Sequence, residues 1–498
     1  MKFSKYFMLA GATLLLAACS SEEPVNNGSE NNGEPVGYIK VELGDITDGT
    51  RAAGNTDLNV DNTDAKITSA TFYFYAKGGN TPLFHKEVKG DAWSSHTGNC
   101  AIVEVDNVNA TEVAVIVNYA YTGSDPASAK LTGGGYKGAD GYYMASAAYY
   151  DKNNSYATTY RTTINKLYAT AQEAEADEGQ STKMYVERVV AKVNMTTSIE
   201  DYSSIDIADI MVGTSTSTKA SVKFVPENVF LTNTNKATWL RKRLDPYTDF
   251  ATDTWFQGKI VDAANNNRSH WTQGCIDATT KLADIDQYSY NDQAESVTLW
   301  TAEKPAVTEY VYDHVGSTQE RCTSIILVGK YNITGTGLNI NADGDFWIVA
   351  SGGKFHVFDT ESKAIVYMST DGKATYNDGG TTKNRTLVKV SDEQPWLFKL
   401  NDNSSPVTCM IFKNGLGYYS APITHFTNAT TGDKYFGVVR NHIYNVDVNS
   451  IAGLGIGIPD PDDPIIPVDP LDPANEKAFF HVSVNVLPWD IIKQDVKW

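Results

Sequence analysis

Two side chains near the N-terminus are placed for covalent chemistry, Cys19 and Arg51. Cys19 follows Leu16-Ala17-Ala18, at the end of an apolar run from Met8 that lies behind Lys2 and Lys5. A short basic region, an apolar stretch too short to span a bilayer permanently, and small residues before a cysteine form the pattern of a bacterial lipobox. There the thiol takes a diacylglycerol and the signal is cut off before it. Arg51 sits in Asp48-Gly49-Thr50-Arg51-Ala52-Ala53-Gly54 and is the first arginine of the chain. Small, polar, turn-rich neighbours leave the Arg51–Ala52 bond open to an arginine-specific protease; the plainer reading is a surface loop.

Beyond these, residues suited to chemistry are scarce. There is no H-E-x-x-H, no G-x-S-x-G and no phosphate loop. The eight histidines are scattered. Asp460-Pro461-Asp462-Asp463 lacks the spaced oxygen ligands and glycine turn of a calcium loop. No catalytic residue, metal or cofactor is expected. The formal charge of −19 would repel phosphates, so nucleic acid is not an expected partner. With Cys19 lipidated, Cys100, Cys275, Cys322 and Cys409 remain; an even count permits disulfides, but long irregular spacings fix no pairing and argue against zinc. Tyrosine is abundant, at 28, and Tyr142, Tyr143, Tyr149 and Tyr150 cluster. Such a cluster either stacks on sugars or forms a structural face, and its abundance elsewhere favours the second.

The elements around these residues are short strands. Ile39, Val41 and Leu43 alternate with Tyr38, Lys40 and Glu42, which is a strand with one buried face. It lies between the Asn-rich leash of residues 24 to 35 and the Arg51 loop. Further strands are expected at Thr71–Tyr75, Ala101–Val105, Val113–Val117 (apolar throughout, as in a sheet buried on both faces), Tyr185–Val193, Ile325–Val328, Phe346–Ala350, Phe355–Phe358, Trp396–Leu400, Thr408–Phe412 and His442–Val448. Only residues 167 to 178 read as helical. Strands at this density indicate β-sandwiches. The chain is too long for one ordinary core, and the texture changes near the Thr-Ser-Thr-Ser-Thr stretch.

The C-terminus is unusual. Six of the 17 prolines lie between Pro459 and Pro473, an extended and stiff spacer. Phe480, Val482, Val484 and Val486 then alternate with His481, Ser483 and Asn485 as a second half-buried strand. Pro488 breaks its ladder. Ile491, Ile492, Val496 and Trp498 form a final apolar stretch.

Several segments together resemble the type V pilins, or fimbrillins, of Gram-negative anaerobes, and especially the minor-fimbrium shaft subunits. They are the Cys19 lipobox, the first strand with its Arg51-Ala52 junction, VERVVAKV at 186 to 193, VFLTNTNKATWLRK from Val229, RNHIYNVDVNSIAGLG from Arg440, and the closing VNVLPWDIIKQDVKW. The last two are the most specific. The resemblance implies a mainly β chain: signal peptide 1–19, propeptide 20–51, transthyretin- or Ig-like β-sandwich domains at 52–218 and 219–458, and a spacer with donor strand at 459–498. It also implies export as an outer-membrane lipoprotein and cleavage after Arg51 by a trypsin-like protease. The strand of Ile39, Val41 and Leu43 would leave. A neighbour's C-terminal strand would fill the vacated groove, through Phe480, Val482, Val484 and Val486 or else through Ile492, Val496 and Trp498. Such head-to-tail contacts do not close, so they propagate a filament. Partners implied are other copies of the chain, accessory tip and anchor pilins, the protease, and host or bacterial surface proteins, in adhesion and biofilm formation. The tail favours a shaft subunit over a tip, and the cleavage point favours it over a basal anchor. A different reading is a monomeric surface lipoprotein binding glycans or host proteins, with Ile39 to Leu43 kept for life.

Overall fold

The computed structural model describes residues 35–44, 67–90, 100–121, 126, 129–133, 135–138, 141–146, 149–151, 157–177, 179–197, 205–207, 210–241, 261–262, 268–269, 285–286, 288, 307–316, 322–340, 344–392, 394–427, 434–451, 453–467 and 480–488. Cys19, Arg51, Ala52, Cys275, Ile492, Val496 and Trp498 lie outside them. The chain is mainly β, with its sheets packed around two principal apolar cores.

The first core is enclosed by one curled sheet. Its strands are β1 (Gly37–Gly44), β2 (Ser69–Tyr75), β3 (Phe84–Lys89), β4 (Cys100–Val105), β5 (Glu112–Val117), β6 (Met144–Ser146) and β7 (Thr182–Arg188). They lie in the order β3-β2-β5-β6-β7-β1-β4. The ends of that path approach each other, because Lys86 of β3 pairs with Glu104 of β4 at 3.1 Å and with Asp106 at 3.0 Å. Ile39, Val41 and Leu43 join Phe72, Phe74, Val103, Val113 and Val115 inside.

The apolar run of β5 has the cause expected of it. Val113, Val115 and Val117 face the first core, while Ala114 and Ile116 face a second cluster with Tyr73, Tyr75, Val189, Tyr312 and Ile443. Both faces of β2 and β5 are therefore covered, one by their own sheet and one by the rest of the chain.

The second core lies among three sheets. β8 (Val190–Thr197), β10 (Val307–Tyr312), β16 (His442–Ile451) and β17 (Phe480–Pro488) form one, in the order β10-β8-β16-β17. β9 (Ser221–Thr232), β11 (Ser324–Thr334) and β15 (Leu416–Pro422) are the middle of another. β12 (Phe346–Ser351), β13 (Lys354–Phe358) and β14 (Cys409–Phe412) belong to the third. The aromatic rings of Phe224, Tyr331, Phe346, Phe412 and Tyr419 pack at its centre. Tyr331 donates to Tyr419 at 2.7 Å and accepts from Gly455 N–H at 2.9 Å, while Tyr419 donates on to Gly453 O at 3.0 Å, so both buried phenols are satisfied.

The structure departs from the sequence-based expectations in three places. Tyr185–Val193 is not one strand: β7 and β8 lie in different sheets, and the chain crosses between cores at Val189. Ala191, Val193 and Met195 belong to the second core. The expected helix is short, Ala171–Ala176, and a second one covers Glu361–Met368. That helix is capped by Thr360, whose hydroxyl accepts from Lys363 N–H, and buries Ala364, Ile365 and Met368 at helical spacing. Finally, the proline-rich spacer is docked as far as residue 467. Ile458 and Ile465 are buried, Ile465 N–H donates to Tyr288 O at 2.9 Å and Tyr418 OH donates to Ile466 O at 2.8 Å. Isoleucines set between prolines give that stretch the apolar anchors that a free stalk lacks.

Candidate strand-exchange site

β1 is an inner strand. It runs antiparallel to β4 through Gly37↔Val105 to Glu42↔Cys100, and parallel to β7 through Val41↔Thr182 to Gly44↔Tyr185. Ile39 and Val41 are fully buried and Leu43 nearly so. The alternation read from the sequence therefore corresponds to one face in the first core.

The other face is held by the segment around the expected helix, whose attachment to β1 the sequence did not reveal. β7 reaches only the second half of β1; the first half is paired by Tyr168, whose N–H donates to Tyr38 O at 2.8 Å and whose O accepts from Tyr38 N–H at 2.9 Å. The chain then forms α1 (Ala171–Ala176), capped by Thr170. Lys40 Nζ donates to the carbonyls of Asp177 at 3.0 Å and Glu175 at 3.4 Å, at the negative end of that helix. Ser181 Oγ donates to Glu42 Oε2 at 2.9 Å. Lys166 and Asp177 close the segment on itself at 2.7 Å. The lysine, with the Gly179 N–H behind it, holds the Asp177 carboxyl below the usual carboxylate range. This strap approaches so closely at Gly37 that a Cβ there would meet Leu167 Cγ at 2.7 Å and Tyr168 O at 2.8 Å. The sequence signal was present in Thr170 as an N-cap ahead of alanines and glutamates, but nothing in it tied that helix to Lys40.

The C-terminal strand of Phe480, Val482, Val484 and Val486 is β17. It lies antiparallel on β16 of its own chain, from Ile451↔Phe480 to His442↔Pro488, with a bulge between Val448 and Ser450. β17 stands at the end of its sheet path.

Three of the segments that carry the fimbrillin resemblance meet where the two cores join. Arg440 and Asp313 form a fully buried ion pair at 3.0 Å. Arg440 also donates to Thr238 Oγ1 at 2.6 Å, Trp239 O at 2.7 Å and Leu240 O at 3.1 Å. Asn441, at φ 59°, accepts through Oδ1 from Arg188 N–H at 3.1 Å, and its own N–H donates to Val190 O at 2.8 Å. β8 and β16 then run parallel from Lys192↔Ile443. Nearby, His314 Nδ1 donates to Asn233 O, and burial pushes its imidazole down to about 4. VERVVAKV, the VFLTNTNKATWLRK stretch and RNHIYNVDV are thus one buried knot, structural in character.

The tyrosine cluster divides. Tyr142 is buried and packs with Tyr136 and Tyr310; Tyr143 packs on Tyr119 at 4.8 Å. Tyr149 and Tyr150 contribute backbone to the strand Tyr149–Asp151, and their side chains lie outside the description. Cys100 and Cys409 are free thiols. Among the described residues, no group of three or more His, Cys, Asp or Glu could hold a metal ion, and no helix is long and apolar enough to cross a membrane.

Residues 410–495 match the family model described as "Major fimbrial subunit protein type IV, Fimbrillin, C-terminal". The C-terminal segment is fimbrillin-like. The match runs from β14 through β16 and β17, so the ladder between those two strands lies within it. No curated protein matches the chain. Similar solved structures include a proposed cell adhesion protein from Parabacteroides distasonis, at 12% identity, TM-score 0.38, covering 91% of this chain and 97% of that one. Another is the tip fimbrial protein Mfa3 from Porphyromonas gingivalis with C-terminal truncation, at 9% identity, TM-score 0.34, covering 91% and 99%. A third is a fimbrial assembly protein from Parabacteroides distasonis, at 9% identity, TM-score 0.27, covering 73% and 98%.

Proposed function

We propose that the chain is the shaft subunit of a cell-surface fimbrium, made as an outer-membrane lipoprotein on Cys19 and matured by an arginine-specific protease at Arg51–Ala52. One observation carries the reading: β1, upstream of the cleavage point, is an inner strand with Ile39, Val41 and Leu43 in the core. Its loss opens a slot one strand wide between β4 and β7. Both walls then present unpaired N–H and C=O groups over an apolar floor, a costly state that seeks another strand. The C-terminal tail of the next subunit fills it, repeating head to tail along the shaft.

The two halves of the tail take different roles. Phe480–Pro488 has a ladder in its own chain, and the residues beyond it, with Ile492, Val496 and Trp498, are the part that enters the neighbour. Each apolar side chain buried there contributes roughly 1.5–3 kcal/mol. Accessory tip and anchor pilins complete the fibre, which serves adhesion and biofilm formation. The burial of Tyr142 speaks against the monomeric glycan-binding lipoprotein.

Protein from the cell surface tests this. We expect an N-terminus at Ala52, ladders on a denaturing gel that collapse on boiling, and no ladders after deletion of residues 489–498. A lipidated Cys19 start with monomer alone, or normal fimbriae from the deletion, overturns it.

A further inference from the structure

The strap from Lys166 to Ser181 stays with the subunit when β1 leaves, and its contacts with Lys40 and Glu42 are polar and position-specific. It offers the carbonyls of Glu175 and Asp177 to a cation at position 40 and the Ser181 hydroxyl to an anion at position 42. Around them, positions 39, 41 and 43 face the core. The slot therefore reads an apolar residue, a cation, a core residue, an anion and an apolar residue, in chain direction. β1 supplies Ile39-Lys40-Val41-Glu42-Leu43. The tail supplies the same order once, in Ile492-Lys493-Gln494-Asp495-Val496. The alternating residues His481, Ser483 and Asn485 include no lysine, arginine or carboxylate.

Resting on the assembly proposed above, we propose that the incoming tail enters in the direction of β1, with Ile492–Val496 in the register of Ile39–Leu43. Lys493 and Asp495 are then specificity-determining residues. Lys493 caps the carbonyls at the end of α1 and Asp495 accepts from Ser181. The strand lies antiparallel to β4 and parallel to β7. A slip of one residue would turn Lys493 and Asp495 into the core, where an unpaired charge is prohibitively expensive, so the pair fixes register as well as direction. The match departs at one place: Gln494 takes the fully buried place of Val41. At Gly37, where only glycine fits under Leu167, the tail leaves the line of β1 and comes from its own subunit.

Register makes this testable, because Glu42 lies directly opposite Cys100, a free thiol on β4. Full-length precursor carrying Asp495→Cys is matured with an arginine-specific protease and oxidised with copper phenanthroline. The reaction is run in alkaline buffer, since burial pushes the Cys100 thiol up. We expect ladders that survive boiling without reductant and vanish when Cys100→Ala is added. Lys493→Cys and Lys497→Cys should give none. Lys493→Glu should slow ladder formation at least about tenfold, as loss of a charged hydrogen bond does. Boil-resistant ladders from Lys493→Cys or Lys497→Cys in place of Asp495→Cys overturn the register. Ordinary ladders that cross-link in none of the three overturn it too, while leaving strand exchange intact. No ladders from matured wild-type protein would remove strand exchange itself.

Discussion

The strands Gly37–Gly44 and Phe480–Pro488 lie toward opposite ends of the chain and are held in different ways. The first has a neighbour on each side and three side chains in a closed apolar core. The second has one ladder, on a strand whose N-terminal end is fixed by a buried polar knot. Losing an inner strand leaves a hole that nothing in the same sheet can close. Losing an edge strand exposes one more edge. A filament built by strand exchange needs both kinds: one whose absence is intolerable, and a tail whose departure is not.

Removing each strand in turn from the uncleaved protein separates the two positions. A precursor starting at residue 45 loses three buried side chains worth roughly 1.5–3 kcal/mol each, so roughly 5 kcal/mol or more of its stability should go. Truncation after residue 479 should cost much less. Urea melts of both, followed by intrinsic fluorescence, check this. Equal losses would mean that β17 is as integral as β1 and that inner and edge positions do not differ in the way argued.

Next in size is the knot that supports β17's host strand. Arg440→Ala leaves Asp313 buried without its ion pair, an unpaired charge worth about 3–5 kcal/mol. Thermal denaturation should register that loss. Protection of β16 and β17 amides from hydrogen exchange should fall further than that of β1. If β1 loosens equally, the two anchors are one cooperative unit.

The same contrast predicts a pH effect. His314 is buried neutral with its pKa near 4, against about 6.5 in the unfolded chain. Its contribution is fully present above pH 6.5 and is lost as pH falls toward 4, because the unfolded chain then binds a proton that the folded one refuses. The whole window is worth about 3 kcal/mol. Glu309, which burial pushes up to about 7, acts in the opposite sense, so the useful quantity is the difference between wild type and His314→Gln. That difference should shift by about 3 kcal/mol between pH 7 and pH 4. The apolar anchoring of β1 contains no such group, so its exchange protection should be flat over the same range.

How much of this was legible beforehand follows from the kind of force involved. Apolar alternation and apolar runs are local, so β1, β4, β5 and β17 were readable from their own residues. The division of Tyr185–Val193 was not, because both halves alternate equally well. What separates them is Asn441, more than two hundred residues away in sequence, capping Arg188 N–H and Val190 O. The helix Glu361–Met368 had its cap and its apolar spacing in plain view and was lost among strands. The docking of the spacer was hidden for another reason: proline content suggests stiffness, but the contacts come from Ile458 and Ile465. At the candidate site, the inward residues of β1 and the helix of the strap were legible and the contact between them was not, since hydrogen bonds from Lys40 and Ser181 leave no periodic trace.

The smallest expected effect concerns that strap, and it separates stability from selection. Lys40→Ala removes hydrogen bonds to two carbonyls at a partly exposed site, and Glu42→Ala removes one from Ser181. Each should cost only about 1 kcal/mol in the precursor, near the ordinary net value of a hydrogen bond. Neither should alter the matured subunit, which has lost β1 altogether. If the strap were simply part of the core, these substitutions would rival the loss of Val41, and urea melts would place them several kcal/mol down. If it reads the polar face of whichever strand fills the slot, the precursor should barely change. The matching changes at Lys493 and Asp495 should instead act on assembly, where the incoming strand must find its direction and register before its apolar residues can be buried.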